Sequence, residues 1–567
     1  MRKAGRLKRL TLVGLVMMVL NACAGVPYGS PLVLDGPVSG TESGGVHALD
    51  LDDGDYVEGV LDSGTDAAEL RLIDQEGRPV RLLLNGTAGR EAFRFVAGPG
   101  MAALRVTLRG TGGYRLALTR RIAVADQHPV LQGHLSPTIA ALAETVKRGG
   151  GTDAFWRDIA RRGTPLVEPL KDASGSDRVI MTFLARGARH NVRLLGGPTS
   201  NHENLERLGG SDVWYKSFTV SASTRLSYQI APDVPNFPGT CRECRMAILA
   251  RLQADPLNHR PWPPDAPDAY NQVSLVELPG APPQPGLEGG WAEPAGRLVA
   301  ERFTSGILGN TRDVAVYAPP GTDPAAKDTI LLLLFDGPDY LGRRAPVPTM
   351  LDRLTGDGRL PPTVAVFIAN PTAEAREREL PANPAFAAML ADELLPWLRE
   401  RAGIRSRPDR TVLAGSSYGG LAAVSAALAH PDRFGNALSM SGSFWWHPAE
   451  APPDRPEHMA SLVASRDRRP VRFFLSAGLF ETGGDGEIGI LESSRHLRDV
   501  LEAKGYAVAY RDYAAGHDGF AWRGALGDGL LALFGRRTGF HQADDDAVPC
   551  HGLSCPGLTP IRSGTRG

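Results

Sequence analysis

Residues 329–335 and 363–368 are unbroken apolar runs, and no other feature of the 567-residue chain constrains its fold as strongly. A strand that is apolar on both faces has to be covered on both sides, the condition of a strand inside a parallel sheet flanked by helices. Further strand-like runs follow at 411–415, 436–440 and 471–476. Helical stretches lie between them at 384–401, 418–429 and 490–504, the last with Leu497, Val500 and Leu501 at helical spacing. This alternation predicts a doubly wound, mostly parallel α/β sheet over residues 295–540, with any site at the C-terminal ends of its strands.

Upstream the apolar period shortens to two. Leu104, Val106 and Leu108 alternate with polar neighbours, Gly110-Thr111-Gly112-Gly113 turns, and Tyr114, Leu116 and Leu118 return. Leu49 and Leu51 flank Asp50, and a turn at Asp53-Gly54-Asp55 leads to Tyr56, Glu58 and Val60. Hairpin patterning of this kind predicts a sandwich or jelly roll over 27–122. It carries no evident ligand chemistry, so an accessory or spacer role is expected. Residues 123–164 read as a linker with two short helices, Pro137–Lys147 and Asp153–Arg162. A second sandwich-like β-domain is expected over 165–285, where Val179, Met181 and Phe183, then Val192 and Leu194, then Leu226, Tyr228 and Ile230 alternate. A multidomain chain suits the length, for which roughly two to four domains are expected. The tail, 541–567, reads as irregular.

Arg2, Lys3, Arg6, Lys8 and Arg9 precede an apolar run from Leu10 to Leu20, too short to span a bilayer as a mature helix. The run ends in Leu20-Asn21-Ala22-Cys23, which resembles a bacterial lipoprotein box. An exported chain is expected, cleaved before Cys23 and lipid-anchored to a membrane at the periplasmic face of the envelope. The alternative is a plain secretory signal with an incidental cysteine. Export gives the other four cysteines, Cys241, Cys244, Cys550 and Cys555, an oxidising setting in which two disulfides are expected. All three connectivities stay open, and a four-thiolate zinc site is the less favoured alternative. A net charge of −1 at pH 7 argues against a nucleic-acid partner and requires any anionic ligand to be held by a local cluster.

Gly415-Ser416-Ser417-Tyr418-Gly419-Gly420 lies between a predicted strand and a predicted helix. That is the setting of a nucleophile elbow, with Ser417 as nucleophile and the Tyr418 N–H facing a developing oxyanion. A serine hydroxyl needs a base. His517, in Gly516-His517-Asp518 after the strand-like 507–512, holds the late position such a base takes. The orienting acid belongs just beyond 471–476. Glu481 is best placed, Asp485 and Glu487 share its loop, Asp518 adjoins the base, and a dyad without an acid is also open. The second oxyanion donor is expected in Phe335-Asp336-Gly337-Pro338, with the Gly337 N–H as candidate and a plain turn as the alternative.

These segments carry a resemblance. Arg376-Glu377-Arg378-Glu379-Leu380-Pro381-Ala382-Asn383, the elbow, Ser441-Gly442-Ser443-Phe444-Trp445-Trp446, and Gly516-His517-Asp518 through Trp522-Arg523-Gly524 look like the enterochelin esterase family. Gly210-Ser211-Asp212-Val213-Trp214-Tyr215 and Asp255-Pro256-Leu257-Asn258 resemble that family's N-terminal domain. The resemblance covers about residues 165 to 538 and implies hydrolysis of catecholate trilactone siderophores, free or ferric, so that iron is released. It implies a catalytic set of Ser417, His517 and Glu481 and no cofactor, with iron arriving as part of the substrate. Arg376 and Arg523 would face the anionic catecholates, and Trp445, Trp446 and Trp522 would offer aromatic surface. Core packing for the tryptophans, and pairing of the arginines with nearby acids, are the competing readings. The export signal and the extra β-domain depart from many family members. A general carboxylesterase of feruloyl type, or a non-catalytic binding lipoprotein, are the alternatives on the same scaffold.

Overall fold

The computed structural model describes residues 32, 36–41, 45–123, 134–170, 177–199, 202–235, 237, 241–451, 457–484 and 487–535. The leader with Cys23, and Cys550 and Cys555 in the tail, lie outside the described residues. The chain divides into two compact units, Met1–His134 and Leu135–Gly567.

The first unit is a pair of four-stranded antiparallel sheets sharing one core, with Leu70, Leu72, Leu104 and Val106 of one sheet against Val57, Leu61, Phe93 and Leu116 of the other. In the strand Tyr56–Asp62 the inward residues are Val57, Gly59 and Leu61. Tyr56, Glu58 and Val60, which the sequence set in the same strand, are its outer face. Because side chains alternate with period two, one register step decides which set is buried.

The second unit starts with the helices Pro137–Lys147 and Asp153–Arg162. Ile139, Leu142, Trp156 and Ile159 pack them on Leu184, Val213 and Tyr215 of the following β-domain, so this stretch is docked on a sheet. That domain has a four-stranded and a five-stranded sheet, whose core includes Met181, Phe183, Leu226, Tyr228 and Ile230. It also contains the helix Cys241–Leu249, which the sequence reading missed. Cys244 is exposed on that helix with a free thiol, so the disulfide expected of it is not formed; the side chain of Cys241, like Cys550 and Cys555, lies outside what is described.

The C-terminal domain is built on an eight-stranded sheet. In chain order its strands are β1 (Arg297–Ser305), β2 (Asn310–Ala318), β3 (Ile330–Phe335), β4 (Thr363–Ile368), β5 (Thr411–Ser416), β6 (Asn436–Met440), β7 (Arg472–Gly478) and β8 (Ala507–Tyr513). Their order across the sheet is β1-β2-β4-β3-β5-β6-β7-β8, parallel from β4 onward with an antiparallel edge pair. Every residue of β3, β4, β5 and β6 is buried, as two covered faces demand. The helical stretch expected at 384–401 is broken into Pro384–Ala388, a π-helical segment Met389–Leu394, and Leu395–Ala402. Pro396 supplies no N–H to continue the α-helical ladder, which accounts for the change of hydrogen-bond spacing just before it.

Beneath the site, Arg312 is fully buried and donates from Nη2 to Glu379 Oε2 (2.7 Å) and Asn310 Oδ1 (2.8 Å). Glu379 of the Arg376–Asn383 segment is therefore a structural anchor. The β-domain docks on the catalytic domain through Gln284, which donates to Phe520 O (2.6 Å), and through Trp262 and Leu275 packed on Phe520.

Candidate active site

Three backbone outliers mark the C-terminal ends of neighbouring strands inside the sheet. Asp336, Ser417 and Ser441 directly follow the neighbouring strands β3, β5 and β6, with φ of 54°, 57° and 49°. Each such non-glycine residue costs about 1–3 kcal/mol and persists only where the surroundings hold it. Ser417, at φ 57° and ψ −123°, opens the helix Tyr418–Ala429. The bend is tight: a Cβ on Gly415 would stand 2.6 Å from the Gly419 carbonyl carbon. Hydrogen bonds from Ser417 N–H to Met440 O (3.0 Å) and from Ser443 N–H to Ser417 O (3.1 Å) fix it from both sides. Its Oγ shares a hydrogen bond with Ser443 Oγ (3.3 Å), and among the described residues it has none to His517.

His517 lies on the loop between β8 and the helix Gly519–Phe534. Its Nδ1 is 2.5 Å from Glu481 Oε1. A carboxylate can only accept, so the neutral ring carries its proton on Nδ1 and leaves Nε2 as an acceptor. Glu481, 4% exposed, follows β7. Its other oxygen accepts from the Ser441 hydroxyl (2.7 Å) and the Gly478 N–H (2.5 Å). Trp522 donates its indole N–H to Ser441 Oγ (2.9 Å) and stands edge-on to the His517 ring, with centroids 4.7 Å apart. Ser441 and Ser443, to which the sequence reading gave no role, thus link Ser417 to Glu481. Their sequence signal was a position just after a parallel strand, within the Ser441–Trp446 segment that carries the resemblance.

Of the other acids, Asp485 lies outside the described residues and Glu487 is exposed. Asp518 turns away from the ring to cap the following helix, accepting from the Phe520 and Ala521 N–H groups at 2.9 and 3.2 Å and from Ser227 N–H at 3.3 Å. Burial pushes its carboxyl up to about 6 despite those donors.

The Gly337 and Tyr418 N–H groups flank the elbow, and among the described residues neither has a hydrogen-bond acceptor. A Cβ on Gly337 would stand 2.5 Å from Ile368 N and from the Phe367 carbonyl carbon, so the loop lies directly on β4. Asp336 is clamped by Arg376, which donates from Nε and Nη2 to its two oxygens (2.7 and 2.8 Å), and by Asn370 (2.5 Å). Arg376, expected to face an anionic ligand, thus has its charge engaged by Asp336 and raised in pKa by that bond. Arg523 is likewise committed: it donates to Gln284 (2.8 Å) and stacks over Phe520 at 4.5 Å, and burial lowers it to about 10. Trp446 is half-buried, packs against the core and meets His458 edge-on. Trp445 is 39% exposed and faces a cavity.

Two cavities flank the site. One, about 460 Å³, is lined by His517, Glu481, Trp445, Phe480 and, from the β-domain, His202 and Arg245. The other, about 470 Å³, is lined by Trp522, Ser416, Tyr340, Arg343, Arg344 and Trp262. Both fall in the size range of small-molecule sites. Among the described residues no group of three or more His, Cys, Asp or Glu side chains is arranged to hold a metal ion, and no helix is long and apolar enough to cross a membrane.

Residues 305–533 match the family described as "Putative esterase", and residues 180–287 match "Enterochelin esterase, N-terminal". The iron(III) enterobactin esterase of Dickeya dadantii is 35% identical over 417 residues, covering 68% of this chain and 93% of the relative. That of Escherichia coli K12 is 33% identical over 354 residues, covering 60% and 84%. Among solved structures, the enterobactin esterase of Shigella flexneri, crystallised in the presence of enterobactin, superposes with a TM-score of 0.54 at 30% identity, over 68% of this chain and 98% of that one.

Proposed function

Because the chain belongs to the enterochelin esterase family, and so is a carboxylic ester hydrolase, we propose that it hydrolyses the ester bonds of catecholate trilactone siderophores of the enterobactin kind, free or ferric. The observation that carries the mechanism is the 2.5 Å contact of Glu481 with His517 Nδ1, which leaves Nε2 as an acceptor, with Ser417, Glu481 and His517 all following the C-terminal ends of strands of one sheet.

Ser417 Oγ turns from Ser443 to His517 Nε2, loses its proton to that nitrogen and attacks a lactone carbonyl. Glu481 stabilises the imidazolium as it forms, and Gly337 and Tyr418 N–H hold the oxyanion. His517 then protonates the departing serine alkoxide of the siderophore, and a water deprotonated by the same ring frees the acyl group. Ring opening weakens the chelate. Iron enters and leaves as the substrate's cargo.

The test is incubation of the purified protein with ferric and iron-free trilactone, with products read by mass. Linear esters from the wild type and none from Ser417→Ala are expected; no ring opening on either form overturns the substrate reading. Simple nitrophenyl ester cleavage without trilactone activity would identify a general carboxylesterase. The site of action belongs to the same proposal. The basic leader and Leu20-Asn21-Ala22-Cys23 support tethering by a lipid on Cys23 at the periplasmic face of the envelope. Metabolic palmitate labelling of the wild type, absent in Cys23→Ala, checks it; equal labelling overturns it.

A further inference from the structure

We infer that His202 and Arg245, contributed by the β-domain, form the subsite that selects an anionic aryl arm of the substrate, such as a catecholate. The two residues share the cavity of His517 and Glu481 with Trp445 and Phe480. Arg245 Nη1 lies 3.3 Å from His202 Nε2. Burial, together with the charges of Arg245 and Arg193, holds the His202 pKa below its usual value, so the ring is neutral and accepts from the guanidinium without offsetting its charge. Arg193 stands behind, donating to His202 O (3.4 Å).

At the cavity of His517 and Glu481 the free cations belong to the β-domain; at the other cavity Arg344, which donates to Asn271 O (2.8 Å) and lies over Trp262 at 5.9 Å, is also without a carboxylate partner among the described residues. Arg376 is neutralised by Asp336, Arg343 by Asp265 at 3.4 Å, and Arg523 is buried in the domain contact. Arg193 and Arg245 have no carboxylate partner among the described residues. Glu481, in the cavity lining, is bound by His517 and Ser441; Glu203, beside the lining residue His202, lies 3.9 Å from Lys216; Glu487, beside Ile488, is exposed. Unpaired positive charge beside aromatic walls suits a planar aryl ring bearing phenolate oxygens, which a guanidinium meets by ion pairing and by stacking.

The subsite lies in a different domain from the nucleophile and acts by binding alone. Binding energy from a non-reacting part of the substrate separates catecholate esters from plain ones. Only the identity of the arm rests on the trilactone reading.

The experiment uses the full chain and an iron(III)-loaded tris-catecholate whose backbone esters are replaced by amides. It is assayed as an inhibitor of nitrophenyl acetate hydrolysis, so it reads the subsite whether or not the trilactone is cleaved. Arg245→Ala raises Ki at least about tenfold, Arg245→Lys restores part of the loss, and kcat/KM for nitrophenyl acetate stays within about twofold of wild type. An unchanged Ki, a parallel fall in nitrophenyl acetate turnover, or no inhibition of the wild type overturns the inference. Inhibition that depends on Arg245 in a protein that leaves the trilactone intact would uphold the subsite and reject the proposed substrate.

Discussion

Replacing Glu481 by glutamine changes one oxygen to NH₂ and leaves shape nearly untouched, so the hydrogen bonds decide the outcome. One carboxylate oxygen accepts from Gly478 N–H (2.5 Å) and Ser441 Oγ (2.7 Å), and the other meets His517 Nδ1 (2.5 Å). The Gly478 N–H is a fixed donor, and Ser441 Oγ already accepts from the Trp522 indole (2.9 Å). The amide oxygen must therefore face Gly478 and Ser441, and the amide NH₂ is left facing His517. Nδ1 becomes an acceptor and the proton moves to Nε2, where it blocks uptake of the Ser417 proton. Tautomer reversal in a triad of this geometry lowers kcat about 10⁴-fold, or about 5.4 kcal/mol at 1.36 kcal/mol per factor of ten. Steady-state hydrolysis of nitrophenyl acetate and of the ferric trilactone should both show it, with KM little changed and the melting temperature within a few degrees of wild type. A loss of less than about tenfold in a folded Glu481→Gln protein would refute the reasoning and leave Ser417 and His517 as a dyad.

Gly337→Ala places a methyl 2.5 Å from the β4 backbone, pushing the loop and its N–H off the oxyanion position; kcat should fall about 10²–10³-fold, the usual loss for one such donor, and unchanged kcat would remove Gly337 from the mechanism. Glu379→Ala leaves the fully buried Arg312 charge without its carboxylate and should cost about 3–5 kcal/mol in urea unfolding, whereas the paired replacement Arg312→Met with Glu379→Leu should recover most of it. Asp518 titrates near 6 when folded, above its unfolded value, so its contribution is full below about pH 4 and lost as pH rises through 6. Wild type should therefore lose stability relative to Asp518→Asn between about pH 4 and pH 7, by chemical unfolding at each pH, and an unchanged difference would refute the shift.

How much of this was legible in the chain divides along a physical line. The strands β3 and β4 were readable because burial on both faces leaves an apolar run with no polar interruption, and the elbow because its sharp turn demands small residues next to the nucleophile. The edge pair β1 and β2 was not, since one face of β1 meets solvent and its residues Arg297–Ser305 mix charge with hydrophobes. Charge was the least legible quantity. Arg376 stands in a motif and Arg245 on a helix with no motif at all, yet the first is neutralised by Asp336, forty positions upstream, and the second, among the described residues, meets an imidazole and no carboxylate. A sequence records where a cation is attached and not what the fold brings against it. At the cavity of His517 and Glu481 the cation comes from the β-domain, in the side chain of Arg245, so the charge of the site is set by a domain that holds neither Ser417 nor His517.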